Sequence, residues 1–187
     1  MRRGMVGFAF AVAVSACAAP YEMLREAHPN PLFGARTFSL EPIAFNAMLV
    51  GDKPVAQYTA TKTEEQRASF RADEEAMNGT FAASVTGRAG PLQIVMGPPP
   101  DAGAFIIRPQ VVRYEPGFYS YVASRATEVE LRVQVLNAQG QLVDELMLRS
   151  TVYATLGNPS AGGRMREAGD NLGWRLSEYL RHRTQHP

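Results

Sequence analysis

Glu128-Val129-Glu130-Leu131-Arg132-Val133-Gln134-Val135-Leu136 alternates polar and aliphatic side chains at nearly every step. In an extended chain Val129, Leu131, Val133 and Val135 share one face, and Glu128, Glu130, Arg132 and Gln134 the other. Such alternation marks a strand in a sheet with one dry and one wet face. Asn137-Ala138-Gln139-Gly140 follows as a hairpin connection. Leu142 to Tyr153 returns as the partner strand, and its alternation slips near Asp144-Glu145, the signature of a bulge.

Two helical patterns supply the other layer. From Thr63 to about Thr86, Phe70, Met77, Phe81 and Val85 recur at helical spacing. Thr63 and Gln66 form a capping box, with Glu64 and Glu65 in the first turn. Asn78-Gly79 interrupts this helix at a cost of order 1 kcal/mol, a place to bend or split. From Arg164 to about Arg183, Met165, Ala168, Leu172, Leu176, Tyr179 and Leu180 give one apolar face. Arg181, His182 and Arg183 close it, as suits the negative end of a helix dipole.

The remaining segments read as shorter pieces. Thr37 to Phe45 is a first strand, with Pro42 at an edge or at the strand's distal end. Asn46 to Thr61 is irregular around a Gly51-Asp52-Lys53-Pro54 turn. Leu92 to Met96 is a short strand, followed by the loop Gly97-Pro98-Pro99-Pro100-Asp101. Ala104 to Glu115 is a strand in which Pro109 demands an edge or a bulge. The order predicts an α+β domain of two layers, a mostly antiparallel sheet with two helices on one face.

The other informative stretch lies at the N-terminus. Arg2 and Arg3 precede an apolar run from Met5 to Val14, then Ser15-Ala16 and Cys17, the only cysteine. Ten apolar residues rise about 15 Å as a helix, half of a hydrocarbon core of about 30 Å. The segment therefore reads as a signal peptide. Val14-Ser15-Ala16-Cys17 resembles the lipobox of bacterial lipoproteins. That resemblance implies cleavage before Cys17, its acylation, and anchoring by several acyl chains, where one chain alone holds only marginally. Ala18 by the same resemblance favours the outer membrane with the domain on the periplasmic side, surface display staying open. The expected organisation is a signal peptide over residues 1–16, a lipidated cysteine and flexible tether over 17–36, and one domain over 37–187. Within the tether Tyr21 to Ala27 suits a brief helix, and Phe33 suits packing on the domain.

The C-terminal part, from about Phe105, resembles a family of bacterial envelope lipoproteins of undefined role. The resemblance rests on Tyr114-Glu115-Pro116-Gly117, on the Val-rich strand with Asn137-Ala138-Gln139-Gly140, and on the closing helix around Gly169, Leu172 and Leu180. It implies no catalytic residues.

Charge and chemistry narrow the function classes. The chain holds 19 Lys+Arg and 18 Asp+Glu. Loss of Arg2 and Arg3 with the signal peptide leaves one acid in excess, which does not suit nucleic acid. His28, His182 and His186 are scattered, and only the last two share a helical spacing, so no metal site is expected. With Cys17 acylated no thiol nucleophile remains, and neither Gly-x-Ser-x-Gly nor His-Glu-x-x-His occurs. Asp73, Glu74 and Glu75 lie at helical spacing from Arg67 and Arg71, which reads as a solvated, salt-bridged face.

Two stretches stand out as candidate contact surfaces. Phe118-Tyr119-Ser120-Tyr121 clusters aromatics after a Pro-Gly turn, suited to a partner or lipid, although an edge strand continuing into the core is the simpler reading. The loop Leu156 to Gly163 leads into a helix opening with Arg164 and Arg166, suited to an anion, although a linker capped by Ser160 is the simpler reading. The expected function is an outer-membrane-anchored periplasmic lipoprotein, a non-enzymatic binding or accessory module of an envelope assembly, without cofactor and with an envelope protein as partner. The alternative is a carrier or sensor of a lipid or small amphiphile.

Overall fold

A computed structural model describes residues 21–120 and 122–187. The two long amphipathic patterns are the two long helices. Helix α2 (Glu64–Arg88) follows the short α1 (Val55–Ala60), and α3 (Ala161–Gln185) closes the chain. The Thr63 hydroxyl accepts from Gln66 N, and the Gln66 side chain returns to Thr63 N, which satisfies two orphan amides at the start of α2. Ser160 caps α3 by accepting from Gly163 N, which satisfies one such amide. Asn78-Gly79 does not split α2. Asn78 instead turns its side-chain carbonyl to the backbone N of Ile43 at 2.9 Å, and so ties the helix to the sheet layer.

The strands are β1 (Glu22–Arg25), β2 (Thr37–Leu40), β3 (Leu49–Val50), β4 (Lys53–Pro54), β5 (Gln93–Met96), β6 (Phe105–Glu115), β7 (Phe118–Tyr119), β8 (Ser124–Arg125), β9 (Thr127–Leu136) and β10 (Leu142–Val152). Eight of them form one sheet, with the path β1-β10-β9-β6-β2-β5; the small β3–β4 hairpin attaches through β3 to β6. The long central strands β6, β9 and β10 are antiparallel, whereas β2 runs parallel to both β5 and β6. The fold is thus α+β, with a mostly antiparallel but mixed sheet. The parallel pair β2 and β5 is joined through α2, and that crossover puts the helix on the sheet face.

Both long helices lie on the dry face. Leu131, Val133, Leu146, Leu148 and Ile107 meet Met77, Phe81, Val85, Leu172, Leu176 and Leu180, all of them 0 % exposed. The helices run side by side in the same direction at very close range. A Cβ added to Gly169 would stand 2.6 Å from the Met77 carbonyl, and one on Gly173 would stand 2.6 Å from that of Phe81. Ser84 and Thr80 donate across the seam to the Asp170 and Arg166 carbonyls at 2.8 and 2.9 Å. The opposite sheet face is wet, and ion pairs lace it: Arg149 with Glu22 at 2.6 Å and with Glu130 at 3.4 Å.

Three expectations change. Residues 21–36 were expected to be a tether with a brief helix; they form edge strand β1 and a segment packed along α3. Leu32, not the exposed Phe33, is the buried residue there. Asn30 Nδ2 donates to the Arg183 and His186 carbonyls at 2.7 and 2.6 Å, and Gly34 N donates to the Thr184 carbonyl at 3.0 Å. The reason is the free edge of β10, whose backbone groups need partners. Next, Pro109 is buried in an interior strand. Its carbonyl accepts from Ala44 N, so its nitrogen faces the same side, beyond the end of β2 at Leu40. The bulge in β6 falls instead between Val111 and Arg113. The bulge near Asp144 is present, between Leu142 and Asp144. Lastly, Asn46 to Thr61 is less irregular than its pattern suggests, since β3, β4 and α1 form around the Gly51 turn.

Candidate functional site

Strands β6 and β10 end, and β9 begins, at one end of the sheet: Glu115 pairs with Glu128, and Val152 with Thr127. Two loops leave from there. The first, after β6, turns at Pro116-Gly117, where Gly117 has φ 60° and a side chain would collide with the carbonyls of Arg125 and Ala126. It then forms the β7–β8 hairpin, closed by Ser120 N donating to the Ala123 carbonyl at 2.9 Å. The second loop runs from Tyr153 to Ser160.

Arg164 joins the two. Its side chain is 1 % exposed. Nε donates to Thr127 Oγ1 at 2.7 Å, Nη2 to the Pro116 carbonyl at 3.0 Å, and Nη1 to the Asn158 and Pro159 carbonyls. A planar guanidinium suits such a set, since its fixed fork reaches several acceptors at once. Arg164 is therefore a structural clasp, and it does not belong to an anion surface as its place after the Gly-rich loop suggested. Arg166, two residues on, is exposed and lies near Asp73. The aromatic stretch divides too. Phe118 is 52 % exposed, Tyr119 is half-buried, and Tyr121 lies outside the described residues. Val122, Tyr153 and Leu156 are 95 %, 74 % and 75 % exposed. Sequence reading missed these three. Val122 and Tyr153 have apolar neighbours, and no period there tells which side chain faces solvent.

A second feature runs along α2. A cleft of about 220 Å³ opens between Tyr58, Lys62, Gln66, Asp73, Tyr114 and Pro116. Lys62 stands 4.5 Å from the centre of the Tyr58 ring. On the other flank of Phe70, Glu74 lies in a groove with Phe45, Val55 and Arg71. Burial pushes the Glu74 carboxyl up to about 7, against the pull of Arg71, and burial raises Asp73 as well. The acids of α2 thus do not form one solvated face. Glu64 does, paired with Arg67 at 2.7 Å and Arg71 at 3.0 Å, which hold it below the usual carboxylate range. Asp73 leans toward α3 at Gly162, and Glu74 toward the segment after β2.

The third feature is buried charge. Asp144 is fully buried on β10, where it accepts from Arg183 Nε at 2.8 Å, Tyr179 Oη at 2.6 Å and Ala27 N at 2.8 Å. Burial, with Asp144 beside it, raises the Tyr179 phenol far above its ordinary value, so it stays a donor. Arg183 also reaches Glu26 at 2.9 Å. This cluster fastens the N-terminal segment to α3. The rings of His182 and His186 are 4.7 Å apart, and among the described residues no group of three or more His, Cys, Asp or Glu is placed to hold a metal.

No protein family matches this sequence, and no curated protein matches it. Among solved structures the chain is similar to the PelC dodecamer from Paraburkholderia phytofirmans, at 10% identity over 78% of this chain and 89% of that one, with a TM-score of 0.43. It is similar also to a point variant of that dodecamer, at 11% identity over 84% and 95% of the two chains, with a TM-score of 0.44. At that distance the likeness carries no argument about binding or activity.

Proposed function

We propose that the chain is a lipoprotein anchored through Cys17 in the outer membrane, whose domain is a non-enzymatic docking or accessory module of an envelope assembly on the periplasmic side. The observation that supports docking over carriage is the filled space between the layers. A carrier needs a cavity of several hundred Å³ between sheet and helices. Here that interface holds Phe38, Leu40, Ile107, Leu131, Leu146 and Leu148 against Phe81, Met77 and the α3 leucines, each 0 % exposed. The clefts along α2, of about 220 and 360 Å³, are open to solvent and are not enclosed between the layers. The charge-laced sheet face, uncovered among the described residues, is left as the broad surface for a protein partner.

The anchor supports the reading from the sequence side. Val14 to Cys17 lies outside the described residues, and its spacing is that of a lipobox. Crosslinking in the native host, followed by capture of the acylated protein, tests the proposal. A single stoichiometric envelope protein is the expected result. Recovery of a co-purifying lipid or amphiphile without a protein would favour the carrier instead.

A further inference from the structure

We infer that the sheet end bearing Phe118, Val122, Tyr153 and Leu156 is a membrane-apposed rim, which rests against the bilayer that holds the lipid anchor. The inference rests on the lipoprotein reading and adds an orientation to it.

The first ground is direction and reach. Strand β1 runs antiparallel to β10, with Glu22 opposite Met147. The chain before Glu22 therefore leaves the sheet toward the end of β10 at Val152. Cys17 lies five positions before Glu22, a span of about 17 Å at full extension. Five residues of β10 lead from Met147 to Val152, also about 17 Å. The chain is thus long enough for an anchored Cys17 to lie level with the rim. The opposite end does not fit. The β9–β10 turn at Gly140 lies seven positions from Met147, about 24 Å away, beyond that reach.

The second ground is the surface at that end. The β7–β8 hairpin lies in the loop that leaves that end, with Val122 at 95 % exposure and Phe118 at 52 %. The second loop adds Tyr153 and Leu156, both about three-quarters exposed. Arg164 binds the first loop through Pro116 and the second through Asn158 and Pro159, so both are held at one place in the fold. Large exposed apolar side chains on two clasped loops mark a contact surface. Aliphatic tips with a tyrosine among them suit the bilayer interface, where an amphipathic ring sits at the headgroup level. A lipid chain plus such contacts is a two-part attachment.

The test places a fluorophore at chosen depths. Val122→Cys, Leu156→Cys and Gln139→Cys are made in the full chain, acylated in the host, and reconstituted in phosphatidylethanolamine–phosphatidylglycerol vesicles containing doxyl-labelled lipid. An acylated Cys17 has no free thiol, so a thiol-reactive nitrobenzoxadiazole reports only the introduced site. Gln139 is exposed at the far end of the sheet and serves as reference. The expected result is strong quenching and a blue shift at 122 and 156, with neither at 139. Acylated protein in which 122 and 156 are quenched no more than 139 would overturn the rim and leave the anchor standing. An N-terminal peptide without acyl mass would overturn the anchor, and the rim with it.

Discussion

Asp144 on β10 and Arg183 in the last turn of α3 meet at 2.8 Å in a site where Asp144 is wholly, and Arg183 almost wholly, removed from solvent. Thirty-nine residues apart in the chain, they hold the sheet, the closing helix and the N-terminal segment together. The Tyr179 hydroxyl and the Ala27 amide complete the carboxylate's partners. Loss of one member strands the other charge in a dry site, which costs about 3–5 kcal/mol. Asp144→Ala should therefore lose stability in that range by chemical denaturation, and should also free the segment around Ala27 to rapid amide exchange. Asp144→Leu combined with Arg183→Met should recover much of the loss. Equal losses for the single and double variants would show that the pair is not the unit.

The docking of α3 gives a second expectation. Leu176 is 0 % exposed against the sheet, so Leu176→Ala should cost about 2–5 kcal/mol. Arg166→Ala, at an exposed position of the same helix, should stay within about 0.5 kcal/mol. Small, equal effects would mean that α3 is not packed as described.

Two helical glycines should respond with opposite signs. Gly79 has open space around its Cβ position, so Gly79→Ala should stabilise α2 by about 0.5–1 kcal/mol through propensity. Gly173→Ala meets the Phe81 carbonyl and should destabilise by about 1–3 kcal/mol despite the same propensity gain. Unfolding midpoints of the two variants against wild type read the difference directly.

Much of this architecture is written locally. The β9 alternation, the Asn137–Gly140 turn, the capping box at Thr63 and the α3 leucine face each depend on a few adjacent residues, and each is found where its pattern puts it. What was not legible depends on partners distant in sequence. Asp144 disturbs an alternation and so reads as a bulge; its place in the core follows only from Arg183. Arg183 in turn reads as a charge suited to a helix dipole. Arg164 looks like an anion ligand because it follows a Gly-rich loop, yet Thr127 and Pro116, far away in the chain, take up its donors. The 21–36 segment lacks a period because its place is set by the open edge of β10. Of the candidate surface, only the aromatics after Gly117 were legible.

Glu74 should impose a pH dependence. Its carboxyl titrates at about 7 in the folded chain because burial disfavours its charge, against about 4.3 when unfolded. The folded state then holds the proton longer, so this group's contribution is complete below the unfolded value and is lost as pH rises toward 7. Glu74→Gln, which stays neutral, should gain stability relative to wild type between pH 4.5 and pH 8. An unchanged difference across that range would place the Glu74 carboxyl in water.

The anchor is the claim on which the functional reading depends most, and the mass of the mature N-terminal peptide tests it most directly. Purified from membranes of its host, the chain should begin at Cys17 and carry diacylglyceryl and acyl mass, and Cys17→Ser should abolish both the modification and the membrane fraction. A mature protein with a free Cys17 thiol, or one that starts at another residue, would contradict it.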